Sequence, residues 1–161
     1  MSSDTKKSRS WRLKDIIVCD LDGTLANCEH RVHHVQNKPK NWDAFYAGVR
    51  GDTVNGPVLH VLDKFMSYEG AIYNIIFCSG RPERCRADTE AWIEEMCNLN
   101  DFILLMREDG DYRDDYIVKQ EILDQHIPKD RVLFVLDDRQ QVVDMWRRNG
   151  LVCFQVAEGK F

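Results

Sequence analysis

The sequence predicts an α/β fold built around a mainly parallel central sheet. Short apolar runs alternate along the chain with longer amphipathic stretches, a pattern typical of βαβ units. The chain has 161 residues, of which 43% are hydrophobic and 30% charged, which is an ordinary composition for one globular domain. We therefore expect a single folded domain rather than a disordered or fibrous chain.

Five short apolar runs predict the strands of this sheet. Each run is rich in Ile, Val, Leu or Phe, and each has the length of an ordinary strand. The predicted strands are 16–20, 72–78, 102–106, 132–136 and 151–155.

Three longer stretches between these runs predict helices, because their apolar residues recur at helical spacing. The first carries Trp92 and Met96 on one face, and the last ends before Gly150, a typical helix stop. The predicted helices are 83–98, 114–126 and 139–149, with a further helix-like run at 58–68.

The stretch from residue 26 to residue 70 interrupts this alternation. It is rich in aromatic residues, Gly and Pro before its helix-like run, and we expect a small cap inserted above the strand ends. Residues 1–12 are polar and are predicted to form a disordered tail, which leaves 13–161 as a single domain.

Net charge and cysteine pattern argue against several classes of protein. Twenty-two Lys and Arg residues against twenty-seven Asp and Glu residues give a net charge of −5, which is unlike a protein held to nucleic acid by bulk charge. No apolar run approaches the ~20 residues of a membrane span, and no signal-peptide pattern is visible. Six cysteines form no Cys-x-x-Cys pair. We expect a soluble cytoplasmic domain with no membrane partner.

Acidic residues follow two of the predicted strands at the point where each strand ends. Asp20 and Asp22 follow the first strand, and Asp137 and Asp138 follow the run at 132–136. In an open parallel sheet, ligands bind beyond the carboxyl ends of the strands. If the two strands are neighbours, four carboxylates converge, and protons or a hard cation must relieve their repulsion. Mg²⁺ suits such oxygen ligands.

Each acidic pair also has an ordinary structural explanation. Asp-Gly is a common turn signal, and Asp138 could cap the helix that follows it. The occurrence of both pairs at strand ends favours the cation site.

A second group of residues is suited to binding phosphate. The predicted strand 72–78 leads into Ser79-Gly80-Arg81-Pro82, where a helix N-terminus, a hydroxyl and a guanidinium could meet an anion. A serine cap with a solvated arginine is the alternative. Lys119 lies one turn after Asp115 on a predicted helix, where a surface salt bridge is the alternative to a functional pair.

Together these residues resemble the four motifs of haloacid dehalogenase superfamily phosphatases. Asp20-Leu21-Asp22-Gly23-Thr24 resembles the first motif, Ser79 the second, Lys119 the third and Asp137-Asp138 the fourth. The resemblance implies a Rossmann-like three-layer sandwich with a small cap, and an enzyme that hydrolyses phosphate monoesters. It also implies Mg²⁺ as cofactor, with Asp20, Asp22, Asp137 and Asp138 as the metal site.

The sequence is most similar to the 3′-phosphatase half of phage polynucleotide kinase-phosphatases. The similar stretches are Ser79 to Arg81, Gly110 to Lys119 and Asp137 to Arg148. By this resemblance the substrate-binding or phosphate-binding residues are Thr24, Arg31, Ser79, Gly80, Arg81 and Asp115. No Gly-x-x-x-x-Gly-Lys-Ser/Thr loop occurs, so no kinase activity is expected. The cap segment also looks longer than its phage counterpart.

The family pattern implies a specific mechanism. Asp20 attacks phosphorus to form an aspartyl-phosphate, while Asp22 protonates the leaving group and then activates water. Lys119 neutralises charge, Asp115 orients it, and Asp138 is favoured over Asp137 as the direct metal ligand.

The leading substrate is a 3′-phosphate on nucleic acid, bound through local cations such as Lys38, Lys40 and Arg84. A free nucleotide or another small phosphorylated metabolite is the alternative, and a catalytically silent binding module is a third possibility. His30, His33 and His34 cluster after the first motif, where a polar cap surface or a substrate contact is favoured over a transition-metal site.

Overall fold

The computed structural model describes residues 14–67 and 73–159, so the tail predicted at 1–12 lies outside the described residues. In chain order the strands are β1 (Ile16–Cys19), β2 (Ala26–Asn27), β3 (Thr53–Val54), β4 (Asn74–Pro82), β5 (Ile103–Arg107), β6 (Val132–Asp137) and β7 (Cys153–Gln155). The helices are α1 (Glu29–Gln36), α2 (Trp42–Ala47), α3 (Gly56–Met66), α4 (Arg86–Cys97), α5 (Asp115–His126) and α6 (Gln140–Arg148).

The predicted parallel sheet is confirmed. Five strands form it in the order β5-β4-β1-β6-β7, and every neighbouring pair is parallel. The central position of β1 between β4 and β6 confirms that the two strands followed by acidic pairs are neighbours. The backbone N–H of Asp20 donates to the carbonyl of Leu136 at 2.9 Å, which holds the ends of β1 and β6 together.

Helices cover both faces of the sheet and make it the middle of three layers. Alternate side chains of β1 point to opposite faces. Ile17 and Cys19 pack with α3 and α4 in one core, and Ile16 and Val18 pack with α5 and α6 in the other. Trp92 and Trp146 are the largest fully buried side chains, one in each core. The predicted α/β sandwich is therefore the observed fold.

Two predicted boundaries differ from the structure at the end of β4. The strand continues to Pro82, because Pro82 still pairs with Arg107 of β5 after an irregularity in the register. Residues Glu83–Cys85 then form a 3₁₀ turn before α4 begins. The Ser79–Arg81 segment is therefore extended backbone at a strand end rather than the first turn of a helix.

Among the described residues, two strands, three α-helices and a 3₁₀ turn (Val49–Gly51) occupy the segment between β1 and β4 for which a cap was predicted. Strands β2 and β3 form a two-stranded antiparallel ribbon, and α1 packs on α2 through a small cluster that includes Val32 and Phe45. The run predicted at 58–68 is α3, which begins at Gly56 with Pro57 in its first turn. Its Val58 and Leu62 pack in the core under the sheet rather than in the cap.

No helix among the described residues is long and apolar enough to cross a lipid bilayer. The longest is α4, with 12 residues, and α5 has the same length. A transmembrane helix needs about 20 apolar residues.

Candidate active site

Three carboxylates meet where β1 and β6 end. Asp20 follows β1, Asp137 ends β6 and Asp138 comes next. One oxygen from each lies within 4.8 Å of the others, and all three residues are buried. The neighbouring positions of the two strands in the sheet bring Asp20 next to Asp137 and Asp138, although it is far from them in sequence.

Lys119 of α5 supplies a cation to this group. Its Nζ donates to Asp20 Oδ1 at 2.7 Å and to Asp137 Oδ2 at 3.0 Å, and Asp115 Oδ2 lies 3.5 Å away. The side chain is 1% exposed. Burial alone would lower the pKa of Lys119, but the three carboxylates outweigh it and raise the pKa well above the usual range. The pair with Asp115 is therefore part of a buried, charged network and is not a surface salt bridge.

Asp137 and Asp138 have different surroundings. Asp137 Oδ1 accepts from the backbone N–H of Asp138 at 2.9 Å, and its Oδ2 accepts from Trp146 Nε1 at 3.1 Å. Asp138 Oδ1 accepts from the Thr24 hydroxyl at 3.3 Å, and Asp138 lines the pocket described below. Both line that pocket, but both oxygens of Asp137 are held by the scaffold, whereas Asp138 accepts from Thr24 at one oxygen.

The charge of this cluster is not balanced by Lys119 alone. Burial, together with the negative charges of Asp137 and Asp138, raises the pKa of Asp20 well above its usual range although Lys119 opposes the shift. Burial and the charge of Asp137 raise the pKa of Asp138 to about 6. Carboxylate oxygens are the ligands that Mg²⁺ takes in proteins, and a divalent cation would relieve this repulsion. The donor set therefore fits Mg²⁺.

Two glycines allow close approach within the site. A Cβ built at Gly23, whose φ is +87°, would lie 2.4 Å from Asp138 Oδ2. A Cβ at Gly80 would lie 2.2 Å from Asp115 Oδ1. Real Cβ atoms do not approach other atoms this closely, so any side chain at either position would displace a carboxylate. Gly80 was expected to bind phosphate, and the structure shows that it also makes room for Asp115.

Asp22 lies beside two buried arginines instead of joining the three carboxylates. Its Oδ1 accepts from Arg31 Nη2 at 2.5 Å and from Arg81 Nε and Nη2 at 2.9 and 2.5 Å. Burial alone would raise the pKa of Asp22, but the charges of Arg81 and Arg31 outweigh it and lower the pKa. Asp22 is therefore ionised in this structure, whereas a carboxylic acid is needed to protonate a leaving group.

Asp52 completes this network and was not identified from the sequence. Its Oδ1 accepts from Arg31 Nε at 2.7 Å and pairs with His30 Nε2 at 2.9 Å, and its Oδ2 accepts from Arg81 Nη2 at 2.8 Å. The side chain is fully buried between the two guanidinium groups. Asp52 precedes β3 within no recognisable motif, so no sequence pattern marked it. His30 belongs to this network, and no group with metal-ligand geometry among the described residues includes a histidine.

A small pocket of about 70 Å³ opens over the carboxylates. Of the residues predicted from sequence, Asp20, Asp22, Gly80, Asp115, Asp137 and Asp138 line it. Arg31, Ser79 and Arg81 are buried and do not line it, and the Ser79 hydroxyl accepts from the Arg81 backbone N–H at 3.2 Å. The lining residues that were not predicted are Arg107, Arg139, Trp42, Phe45 and Tyr46.

Arg107 of β5 holds one side of this pocket. Its Nε donates to the Gly80 carbonyl at 2.9 Å, and its Nη2 donates to Asp115 Oδ1 at 3.2 Å. It therefore connects β5 to the residues around Lys119. In the sequence, Arg107 was marked only by its position directly after the predicted strand 102–106. Its partners Gly80 and Asp115 lie in β4 and α5.

Comparisons with known proteins support the resemblance seen in the sequence. Residues 14–161 match the family model described as the polynucleotide kinase PNKP phosphatase domain. A bifunctional polynucleotide kinase/RNA ligase of Autographa californica nuclear polyhedrosis virus is 32% identical over 132 residues, which cover 81% of this chain and 17% of that protein.

Solved structures agree with this family. A chain of the Pnkp1/Rnl/Hen1 RNA repair complex superposes with a TM-score of 0.75 and 38% identity, over 93% of this chain and 44% of that one. A haloacid dehalogenase-like hydrolase from Streptococcus pneumoniae superposes with a TM-score of 0.62 at 12% identity, over 89% of this chain and 85% of that one, and shows the fold alone.

This chain spans less than half the length of the viral protein and of the RNA repair chain. Because the family model spans nearly the whole chain, the protein belongs to the PNKP-type family of phosphatase domains, which have the haloacid dehalogenase fold.

Proposed function

We propose that this protein is a Mg²⁺-dependent phosphatase that removes the 3′-phosphate from a nucleic-acid end through an aspartyl-phosphate on Asp20. One observation carries the proposal. The Asp20 carboxylate contacts Lys119 and lies with Asp137 and Asp138 in a single pocket at the ends of β1 and β6.

Asp20 is the best placed nucleophile among these carboxylates. It lines the pocket and directly follows β1, whereas both oxygens of Asp137 accept hydrogen bonds from the scaffold. Attack by an Asp20 oxygen forms an O–P bond as the bond from phosphorus to the ester oxygen breaks. This divides one difficult hydrolysis into two transfers.

Asp22 handles the protons in both transfers. In the first it gives a proton to the leaving alkoxide, and in the second it takes one from the water that cleaves the aspartyl-phosphate. The ionised Asp22 of this structure is the form that the second transfer needs. The negative charge of a phosphate entering the pocket beside Asp22 would raise the pKa of Asp22 and favour uptake of the proton for the first.

Asp20, Asp138 and Asp137 are the side chains that would hold Mg²⁺, with the backbone carbonyl of Asp22 as a further ligand. When bound, the ion supplies positive charge to the phosphate oxygens and to the carboxylates around it. Lys119 contributes a second fixed positive charge beside Asp20. Fixed charges of this kind supply most of the rate in phosphoryl transfer.

Membership of the PNKP family supports a nucleic-acid 3′-phosphate as substrate. The relatives include a polynucleotide kinase/RNA ligase and a chain from an RNA repair complex. A free nucleotide is the second candidate, favoured by the pocket of about 70 Å³ and the net charge of −5.

Phosphate release tests the chemistry. Wild-type protein should release inorganic phosphate from an aryl phosphate with Mg²⁺, and a chelator should stop the reaction until Mg²⁺ is restored. Asp20→Asn should lose turnover and stay folded, while Asp124→Asn, at an exposed carboxylate of α5, should behave as wild type. Near-normal turnover by Asp20→Asn, or turnover without metal, would refute the mechanism.

A substrate panel tests the specificity. We expect kcat/KM to be higher for a 3′-phosphorylated oligonucleotide than for its 5′-phosphorylated twin and for nucleoside 3′- and 5′-monophosphates. Equal or higher values for the monophosphates would favour the second candidate.

A further inference from the structure

The indole of Trp146 reaches the charged site from the core beneath α6. Trp146 is fully buried, and its Nε1 donates to Asp137 Oδ2 at 3.1 Å. We propose that Trp146 is a positioning residue of the phosphatase reaction: its N–H fixes the Asp137 carboxylate and, through it, the ammonium group of Lys119. The inference rests on the proposed function and adds to it a residue that does not line the catalytic pocket.

The surroundings of Trp146 are apolar. Of the described residues buried in the core between the sheet and helices α5 and α6, Trp146 is the one aromatic residue, and the others are aliphatic, Met or Cys side chains. A buried N–H without an acceptor costs free energy, and an aliphatic residue would fill such a core without that cost. The structure gives this N–H an acceptor, and the acceptor is a carboxylate of the candidate active site.

The Asp137 carboxylate accepts two hydrogen bonds at each oxygen. Its Oδ1 accepts from the backbone N–H groups of Asp138 and Arg139 at 2.9 and 3.3 Å. Its Oδ2 accepts from Lys119 Nζ at 3.0 Å and from Trp146 Nε1 at 3.1 Å. Hydrogen bonds to an ionised acceptor are stronger than those between neutral groups. The backbone therefore holds one oxygen, and the indole holds the oxygen that contacts Lys119.

The indole N–H holds Asp137 without adding charge to the site. Lys119 Nζ is shared between Asp137 Oδ2 and Asp20 Oδ1, at distances of 3.0 and 2.7 Å. A cation in place of the indole would neutralise Asp137 and weaken its attraction for Lys119. A neutral donor leaves that attraction intact, so the ammonium group stays between the two carboxylates.

The position of the Lys119 charge depends on its partners, because the lysine side chain is long and flexible. Without the indole N–H, the Asp137 carboxylate is free to turn about its Cβ–Cγ bond, and Lys119 Nζ moves with it. The positive charge is then displaced from the phosphoryl group that is transferred to Asp20. Small displacements of such groups cost large factors in rate. Since the charge matters most in the transition state, the loss should appear in kcat rather than in KM.

Trp146→Phe tests this role, because it keeps an apolar ring and removes the N–H. We expect kcat for an aryl phosphate to fall about tenfold, in line with the loss of one hydrogen bond to a charged group, while KM stays within about twofold. A second variant carries β-(3-benzothienyl)alanine at position 146, in which sulfur replaces the N–H and the size of the ring is kept. It should show the same loss.

Leu151→Ala is the matched control for damage to the core. Leu151 is buried in the same core as Trp146, and its side chain is aliphatic. Leu151→Ala should lower the midpoint of thermal unfolding, as Trp146→Phe does, but keep kcat within about twofold of the wild type. Kinetics are measured at a temperature where circular dichroism shows each protein to be folded.

The outcomes separate this inference from the proposed function. An unchanged kcat in the benzothienyl variant, or an equal fall of kcat in Leu151→Ala, overturns the positioning role and leaves the phosphatase intact. A loss confined to Trp146→Phe assigns the effect to packing and overturns the role as well, as does a rise in KM at constant kcat. If the wild type releases no phosphate from the aryl phosphate, the proposed function itself fails.

Discussion

Gly23 and Asp138 lie so close together that no side chain fits between them. A Cβ at Gly23 would be 2.4 Å from Asp138 Oδ2, and Gly23 has a φ of +87°, which side chains also disfavour. The turn after β1 thus approaches the end of β6 at the Asp138 carboxylate, which also accepts a hydrogen bond from Thr24. The Asp-Gly pair is a turn, as its sequence suggests, and the turn also shapes the acidic site.

Replacing Gly23 by alanine should displace the Asp138 carboxylate. We expect kcat on an aryl phosphate to fall by about 100-fold or more, because a metal ligand and its charge leave the site. The left-handed backbone adds a strain of about 1–2 kcal/mol to the folded state. Steady-state kinetics and thermal unfolding measure the two effects separately.

Gly150→Ala is the control for backbone strain. Gly150 has a φ of +78°, and among the described residues no atom lies within 4 Å of a Cβ built there. This variant should lose a similar free energy of unfolding and keep its activity. Equal activity in the two variants would show that the close approach to Asp138 has no catalytic consequence.

Lys119→Met should damage both activity and stability. The change leaves Asp20 and Asp137 buried without their cation, and breaking a buried ion pair typically costs about 3–5 kcal/mol. Loss of a fixed positive charge beside the nucleophile should lower kcat by about 100- to 1000-fold. Lys129→Met, at a lysine whose side chain is 40% exposed and bonds to Asp124, should change neither quantity by more than a small amount. A stable, active Lys119→Met protein would contradict the charged network.

Asp52→Asn should destabilise the fold through the two buried arginines. The Asp52 carboxylate neutralises Arg31 and Arg81, and its loss leaves two buried cations to share Asp22. We expect the free energy of unfolding to fall by about 3–5 kcal/mol. Chemical denaturation measures it. Glu95→Gln removes an exposed carboxylate bound by Arg50 and should shift stability by less than about 0.5 kcal/mol. If the two variants lose equal stability, the burial of this network has no energetic importance.

Mg²⁺ binding should weaken as the pH falls below about 6. The pKa of Asp138 is raised from 3.8 to about 6, so the metal-free folded protein favours protonated Asp138. Protonated Asp138 therefore contributes its full stabilisation to the metal-free fold below pH ~4, and this contribution is lost as the pH rises through ~6. Since a ligand must be ionised, the affinity for Mg²⁺ should be about tenfold lower at pH 5 than at pH 7.5.

Calorimetric titration with Mg²⁺ at the two pH values checks this expectation. Asp138→Asn should bind Mg²⁺ weakly at both, because the titrating carboxylate is gone. Equal affinity of the wild type at pH 5 and pH 7.5 would show that Asp138 does not control metal binding.

Periodicity in the sequence was sufficient to predict the central sheet. Apolar runs are local features, and the predicted positions of β1, β5 and β6 agree with the structure to within two residues. The two short helices α1 and α2 were not predicted individually. Each has eight residues or fewer, which is too short for a clear helical pattern.

The buried arginine network could not be predicted in the same way. Arg31 and Arg81 were expected to bind substrate, but their partners Asp22 and Asp52 show that they also neutralise carboxylates inside the protein. Arg31 and Asp52 are 21 positions apart, and no spacing rule connects them. Both lie in the cap segment, and only the packing of that segment on the sheet brings Asp52 to Arg81 of β4.

The chain itself determined which residues stand at the strand ends, because strand periodicity and the Asp pairs that follow it are local properties of the sequence. Tertiary structure alone decided which charges meet, since Lys119 and Asp20 are 99 positions apart yet share a hydrogen bond of 2.7 Å. Ion pairing and burial depend on distances through space. Those distances are set when helices and strands pack, and they determine the direction in which the pKa values of Asp20, Asp22 and Lys119 shift.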